Sequence, residues 1–353
     1  MNKLAISIWV ILCFQFLFLA NNFMYAQTKK QVNKKVSKAS TNNYTGTYYK
    51  GNYVWAGAMN LAWNDCSEQI IKEKIQINSN DKSAINLVNK LNHPAFTTKD
   101  LDAKSYYVKS GFGQATVQQI NKETKAKFQQ KTFADLTDVL GDSDMIAYSY
   151  FFKKTQYVSS LSSTETTFKG VKVAGFGTEA KDDKRNIKII EYINKNKFIV
   201  SIALKDTSDQ LILAKGYDMS NPEIVVNIIR KKINDYHESM EYKDYFEAPK
   251  LDLEYHRDYV ELVNKTLLNK GFENYQIKKM YQNIKFGLDE TGAKVEDEAI
   301  MDAIPVSFDP NDQTIPKLLQ FDKPFWVIMK RTSSKNPYFI LGINNNELMK
   351  KLK

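Results

Sequence analysis

One stretch, Met280 to Phe325, limits what this chain can fold into more than any other. It opens with MYQNIKFGLDETG, a strand-like run that stops at Gly292. Then comes AKVEDEAIMDAIPVSFDP (293–310), followed by a polar connection into LQFDKPFWVIM. From Ala293 to Ala303 the odd positions read Ala293, Val295, Asp297, Ala299, Met301, Ala303, and the even ones Lys294, Glu296, Glu298, Ile300, Asp302. That period of two, small or apolar against mostly charged, is how a half-buried β-strand is written. Yet Pro305, Pro310 and Pro316 follow, and the acidic, weakly hydrophobic composition is that of an exposed loop. An ordinary edge strand followed by a polar loop satisfies this pattern; so does a loop able to become a strand.

The flanks carry a resemblance. DETGAKVEDEA has Glu290 two positions before Gly292, AIPVS follows it, and LQFDKPFWVIMKRTSSKNPYFILGINN carries two apolar runs near the C-terminus. Upstream stand APKLDLEYHRDYVELVNKTLLNKGF (248–272), INKETKAKFQQKTFADL (120–136) and DMIAYSYFFKK. In this order and spacing, from about Tyr106 to Asn345, they resemble the serpins. In that family the first is a strand then a helix before the hinge, the second a helix packed across the main sheet, and the third the strand after it. The likeness implies an α+β fold of several β-sheets with surrounding helices and an exposed reactive loop near the C-terminus. Two departures stand out. Residues 47–105 are short for the family's N-terminal helical block. Where the family gates its main sheet with an asparagine, a tryptophan and a histidine, this chain has Tyr148, Gln156 or Tyr157, and Gln282.

Before that region, Lys3 followed by the apolar run Leu4–Ala20 and Met24-Tyr25-Ala26 reads as a secretory signal over residues 1–26, with export outside the cell, or to the periplasm in a bacterium. A retained anchor would be short for a span; the mature chain is expected to carry none. Cleavage after Ala26 leaves Cys66 as the one cysteine, so no internal disulfide is available, and its apolar context points to a buried thiol. Residues 27–46 form a Lys-, Ser- and Asn-rich flexible linker, and 47–353 a single domain. Five linker lysines supply half of the net charge of +10, and elsewhere lysines alternate with acids, which argues against a nucleic-acid surface.

Helices are expected over Val54–Ala62, Ser83–Leu91, Ala115–Phe128 and, after the Asn221 cap with Pro222, to about Tyr236; strand Met145–Phe152 and hairpins over 167–177 and 186–206 complete the pattern. Phe198 to Leu204 alternates as a strand buried on at least one face. No catalytic constellation is present. His93, His237 and His256 lie outside any nucleophile or zinc motif, and GxSxG, HExxH and P-loop sequences are missing. Gly111-Phe-Gly113 and Gly175-Phe-Gly177 read as turns, and the pairs Asp142/Asp144 and Asp182/Asp183 as solvated. No metal, cofactor or enzymatic activity is expected.

The resemblance assigns the remaining roles. Glu290, Gly292, Ala293, Val295 and Asp297 form the hinge; Ile304 and Pro305 lead to a reactive bond at Val306–Ser307, placed by counting from Gly292. The expected function is a secreted, monomeric serine protease inhibitor whose bait loop is cut and then inserted as a strand. Val306 fits an elastase-like partner better than a trypsin-like one. The alternative is a non-inhibitory binding or structural protein on the same fold, because Asp297 would point inward in an inserted strand.

Overall fold

The computed structural model describes residues 44–131, 133–179, 184–233, 235, 237–293 and 315–352. An eight-stranded antiparallel sheet forms the interior. In spatial order it contains β1 (Thr47–Tyr49), β2 (Asn52–Ala56), β18 (Pro337–Ile343), β17 (Phe325–Arg331), β10 (Asp209–Lys215), β9 (Lys197–Ile202), β8 (Ile187–Asn194) and β11 (Glu238–Ser239). Every residue of β18 is buried, as are Phe325 to Lys330 of β17, so the sheet's centre is covered on both faces. That is why FWVIM and YFILGI run as unbroken apolar segments. Phe198, Ile199 and Val200 are likewise fully buried, so β9 is covered on both faces.

A four-stranded sheet combines β6 (Ser162–Phe168), β7 (Val171–Gly177), β12 (Tyr245–Pro249) and β16 (Leu318–Gln320). Two separate antiparallel ladders stand apart from it: β3 (Tyr106–Phe112) with β4 (Met145–Phe151), and β13 (Leu251–Asp258) with β14 (Tyr281–Leu288). A short pair joins β5 (Thr155–Gln156) to β15 (Gly292–Ala293). The helices are α1 (Ala58–Asp65), continued by a π-turn over Cys66–Ile71, then α2 (Lys82–Leu91), α3 (Gly113–Lys127) and α4 (Pro222–Lys232). The Asp81 carboxylate accepts from Ser83 N at 2.8 Å and the Asn221 amide oxygen from Glu223 N at 3.0 Å, capping α2 and α4. Among the described residues no helix is long and apolar enough to cross a membrane.

Several expectations are corrected. Val54–Ala62 is not one helix: Val54 and Trp55 pair with Leu341 and Ile340 in β2, and the helix starts only at Ala58. Aromatic and β-branched residues favour the strand, and Gly57 makes the corner, where a Cβ would lie 2.3 Å from the Phe96 ring. The helix expected after β13 does not form. The amide of Tyr259 donates to Met280 O, Asn264 to Ile277 O and Leu267 to Tyr275 O, so cross-strand partners replace the i−4 carbonyls. Leu262 and Leu267 still reach a core with Trp63, Leu87 and Leu91. The helix expected over Ala115–Phe128 forms as Gly113–Lys127, so the family-like segment 120–136 is helical only in its first half. Gly111, Gly175 and Gly177 lie in strands, where a Cβ at Gly175 or Gly177 would meet Thr166 Cγ2 at 2.6 Å or Phe246 O at 2.5 Å. Tyr44 and Thr45, expected in the linker, are buried, with the Tyr44 and Trp55 rings 4.7 Å apart. Cys66 is buried, and burial pushes its thiol up to about 12, which suits an inert role.

One buried cation yields a pH prediction. Lys330 on β17 is 1% exposed and donates to Gln210 Oε1 at 3.0 Å and Arg331 O at 2.6 Å. Burial pushes its ammonium down to about 8, against a smaller upward pull from Asp209. The unfolded chain therefore binds the extra proton between about pH 8 and 10, and stability rises with pH across that window. The unfolding free energy from urea titration is expected to increase from pH 8 to 9.5, by about 2 kcal/mol at most. Lys330→Met should flatten that slope; an unchanged slope in the variant would assign it elsewhere.

Candidate functional site

The expected hinge stands where β14 ends. The Asp289 amide donates to Gly292 O at 3.0 Å, and the Asp289 carboxylate accepts from Thr291 N at 3.0 Å and Thr291 Oγ1 at 2.8 Å. This closes a two-residue turn at Glu290–Thr291 and reverses the chain. Gly292 then runs with φ +140°, and a Cβ there would lie 2.4 Å from Thr155 O and 2.9 Å from Gln156 Cα. Only glycine satisfies both conditions. β15 emerges antiparallel to β5, with Gly292 opposite Gln156 and Ala293 opposite Thr155. Tyr157 N donates to Thr291 O at 3.0 Å and Leu161 N to Glu290 O at 2.8 Å. The Glu290 carboxylate lies 2.6 Å from Lys250 Nζ, which also donates to Ser163 Oγ at 2.8 Å. Tyr157 is fully buried here, and burial, together with Asp289 and Glu290, pushes its phenol well above the usual range.

β15 thus lies between β5, which continues the course of β4, and Asp289 at the end of β14. Among the described residues β4 and β14 are not hydrogen-bonded neighbours; each pairs only with the outer strand of its own ladder. The floor beneath both is β18 and the start of α1. Phe151 of β4 packs on Tyr338 with centroids 5.1 Å apart, and Phe286 of β14 stacks on Phe339 at 4.5 Å. Ser149 Oγ donates to Ala58 O. Gln282 Nε2 donates to Ala56 O at 3.1 Å, and its Oε1 accepts from Tyr259 OH at 2.9 Å. Gln282, one of the three departures from the family's gate, therefore ties β14 to the floor. Tyr148 takes the outer face toward α3, where burial raises its phenol against a smaller opposing effect of Thr124.

The segment after α3 touches both ladders from the other side. Phe128 and Phe133 pack on Tyr150 of β4, at 4.9 and 6.3 Å. Lys285 of β14 stands 5.5 Å over the Phe133 ring, Lys279 lies 3.3 Å from Asp138, and Tyr275 OH donates to Ser143 O at 3.0 Å.

Of the sequence-assigned residues, Glu290, Gly292 and Ala293 meet at this turn. Val295, Asp297, Ile304, Pro305, Val306 and Ser307 lie outside the described residues. Thr155, Tyr157 and Lys250, which complete the site, were not singled out as hinge partners; they lie more than thirty positions away in sequence and carry no local signal. Among the described residues no group of His, Cys, Asp and Glu could hold a metal ion. His256 bonds Asn283 Oδ1 at 2.6 Å and Asp258 at 3.2 Å on an exposed strand face. A cleft of about 660 Å³ lined in part by Glu165, Glu247 and Asp322 includes no hinge residue.

No family model matches the sequence, and no curated protein matches it. The structure is similar to that of tengpin, a thermophilic serpin in its native state, at a TM-score of 0.52 and 14% identity, covering 86% of this chain and 90% of that one. It is also similar to Serpin48 of the insect Tenebrio molitor, a highly specific serpin, at a TM-score of 0.50 and 12% identity, covering 84% and 92%. The chain has the serpin fold, in a widely divergent sequence.

Proposed function

We propose that this serpin-fold chain is an exported serine protease inhibitor that is cut in the loop after Ala293 and then takes that loop into its own sheet. The observation that carries the reading is the placement of Gly292–Ala293, antiparallel to β5 on one side and bridged to Asp289 on the other, at the mouth between two unjoined ladders. A strand continued from there gains a hydrogen-bonded neighbour on each side.

Continuing the β14 register sets the residues of such a strand against their neighbours. Val295 would lie opposite Phe286, Asp297 opposite Ile284 and Ala299 opposite Gln282, all pointing to the floor. Glu296 would lie opposite Lys285 on the outer face, a favourable cross-strand charge pair. Only Asp297 breaks the pattern, and it is what the non-inhibitory alternative rests on.

In the chemistry proposed, the protease serine Oγ attacks the Val306 carbonyl, the amide to Ser307 breaks, and the Ser307 amine leaves with the proton. Val306 is left esterified to the protease, and strand entry follows before water can hydrolyse the ester. A β-branched Val306 fits a shallow elastase-type pocket, whereas a trypsin-type pocket requires Lys or Arg. The test is a covalent, SDS-resistant band at the summed mass. An elastase-type protease should form it at least about tenfold faster than a trypsin-type one, the discrimination expected of one pocket contact, and Val306→Arg should invert the order. An unchanged profile in the variant would remove Val306 from the bait position.

A further inference from the structure

We infer that Lys153, anchored by Asp206 and Asp209, is the positioning residue for the first rung that an entering strand makes beyond Ala293. This rests on the strand-insertion reading above, and the occupant is the chain's own segment beginning at residue 294.

The alternation of the upper edge fixes which backbone groups face the opening. Phe152 N donates outward to Ser105 O at 2.8 Å, and Gln156 O accepts from Lys205 N at 2.9 Å, so even-numbered residues bond away from the opening. Tyr157 N donates to Thr291 O, and Thr155 stands opposite Ala293, so odd-numbered residues bond toward it. In an antiparallel ladder the hydrogen-bonded pairs recur every second residue. After Thr155 with Ala293 the next is Lys153 with Val295.

Lys153 sits between the end of β4 at Phe151 and the start of β5 at Thr155, outside either strand. Its side chain supplies a fixed anchor. Nζ lies 2.7 Å from Asp206 Oδ2 and in direct contact with the Asp209 carboxylate. Asp209 is 6% exposed and accepts from Tyr338 OH at 3.2 Å, beneath the ring that carries Phe151. Asp206 is held by Ser208 N at 3.0 Å and Ser208 Oγ at 2.6 Å, and Ser208 O accepts from Thr332 N at 2.9 Å. A charge-assisted pair to a buried carboxylate thus ties an irregular link to the turns of the large sheet. In the proposal this anchor holds the Lys153 peptide in place to receive the next rung.

A synthetic peptide of residues 294–305, added to the intact protein, tests the rung without a protease; its uptake is read by native-gel shift and by the rise in melting temperature. Asp206→Asn with Asp209→Asn, which removes both charge-assisted contacts of Lys153, should slow uptake by at least about tenfold, while Lys153→Arg, which keeps the anchor, should stay near the unmodified rate. N-methylation of Val295 in the peptide removes the donor to Lys153. It should slow uptake by the protein but cost much less in the double variant, because the two changes act on one rung. A merely structural anchor would lower the melting temperature without that coupling. Uptake by the double variant at the unmodified rate, equal methylation costs in both proteins, or no uptake by the unmodified protein would each overturn the assignment. Uptake with no covalent protease complex would sink the inhibitory reading and leave the rung in place.

Discussion

Gly292→Val should abolish covalent trapping while leaving the loop cleavable. At φ +140° the backbone occupies a region that L-residues enter only with strain, and a Cβ would lie 2.4 Å from Thr155 O, a distance no packed carbon tolerates. The neighbours cannot yield: Thr155 is paired with Ala293, and the adjoining Tyr157 is bonded to Thr291. The turn must open, which moves β15 off β5 and re-aims all that follows. At about 3 kcal/mol for strain plus a lost rung, the ratio of trapped to merely cleaved inhibitor should fall by somewhat more than hundredfold. The control is Gly170→Ala, in the β6–β7 turn at φ +84° with no atom within 4 Å of a built Cβ. It should cost some stability and leave trapping alone. Normal trapping by Gly292→Val, with far-UV dichroism unchanged, would show that this turn does not launch the strand.

What the sequence made legible divides along local and non-local lines. The strand pair FWVIM and YFILGI, the helix over Ser83–Leu91, the Asn221-capped helix and the glycine turn are written in adjacent residues, and each forms close to where it is written. The segment 259–280 carries a helix-like apolar spacing, yet its amides bond across to 275–280, a choice made by tertiary partners that a single segment does not display. The same holds for the floor of the opening. Gln282 read as the loss of a gating histidine, but its amide offers a donor and an acceptor, and the fold brings Ala56 O and Tyr259 OH to them. Lys153 read as one lysine among many, and only the return of the β9–β10 turn beneath β4 gives it Asp206 and Asp209.

Cutting the loop near Val306 should raise the melting temperature sharply, and Asp297→Ala should make the change faster. A strand of about ten residues between β4 and β14 would complete two ladders with about twenty hydrogen bonds; at roughly 0.5 kcal/mol net each that is about 10 kcal/mol, or about 20 °C for a chain of this size. The floor decides which side chains ease entry. Ala299 would come down between Ser149 and Gln282, where a small residue leaves their hydrogen bonds to α1 and β2 intact. Val295 would rest on Phe286, itself stacked on Phe339. Asp297 would descend between Phe151 and Ile284 onto an aromatic surface, where an ion is poorly solvated. Burying it costs roughly 1–3 kcal/mol even if it protonates. Felt in the transition state for entry, that slows insertion by about five- to hundredfold while the acyl-enzyme waits to be hydrolysed. Scanning calorimetry before and after cleavage, and the fraction of protease trapped by Asp297→Ala, separate the outcomes. A large thermal gain in both proteins with more trapping in the variant makes the carboxylate a brake on a working inhibitor. No thermal gain in either means the strand does not enter, and the acidic hinge then belongs to a contact surface on a serpin scaffold.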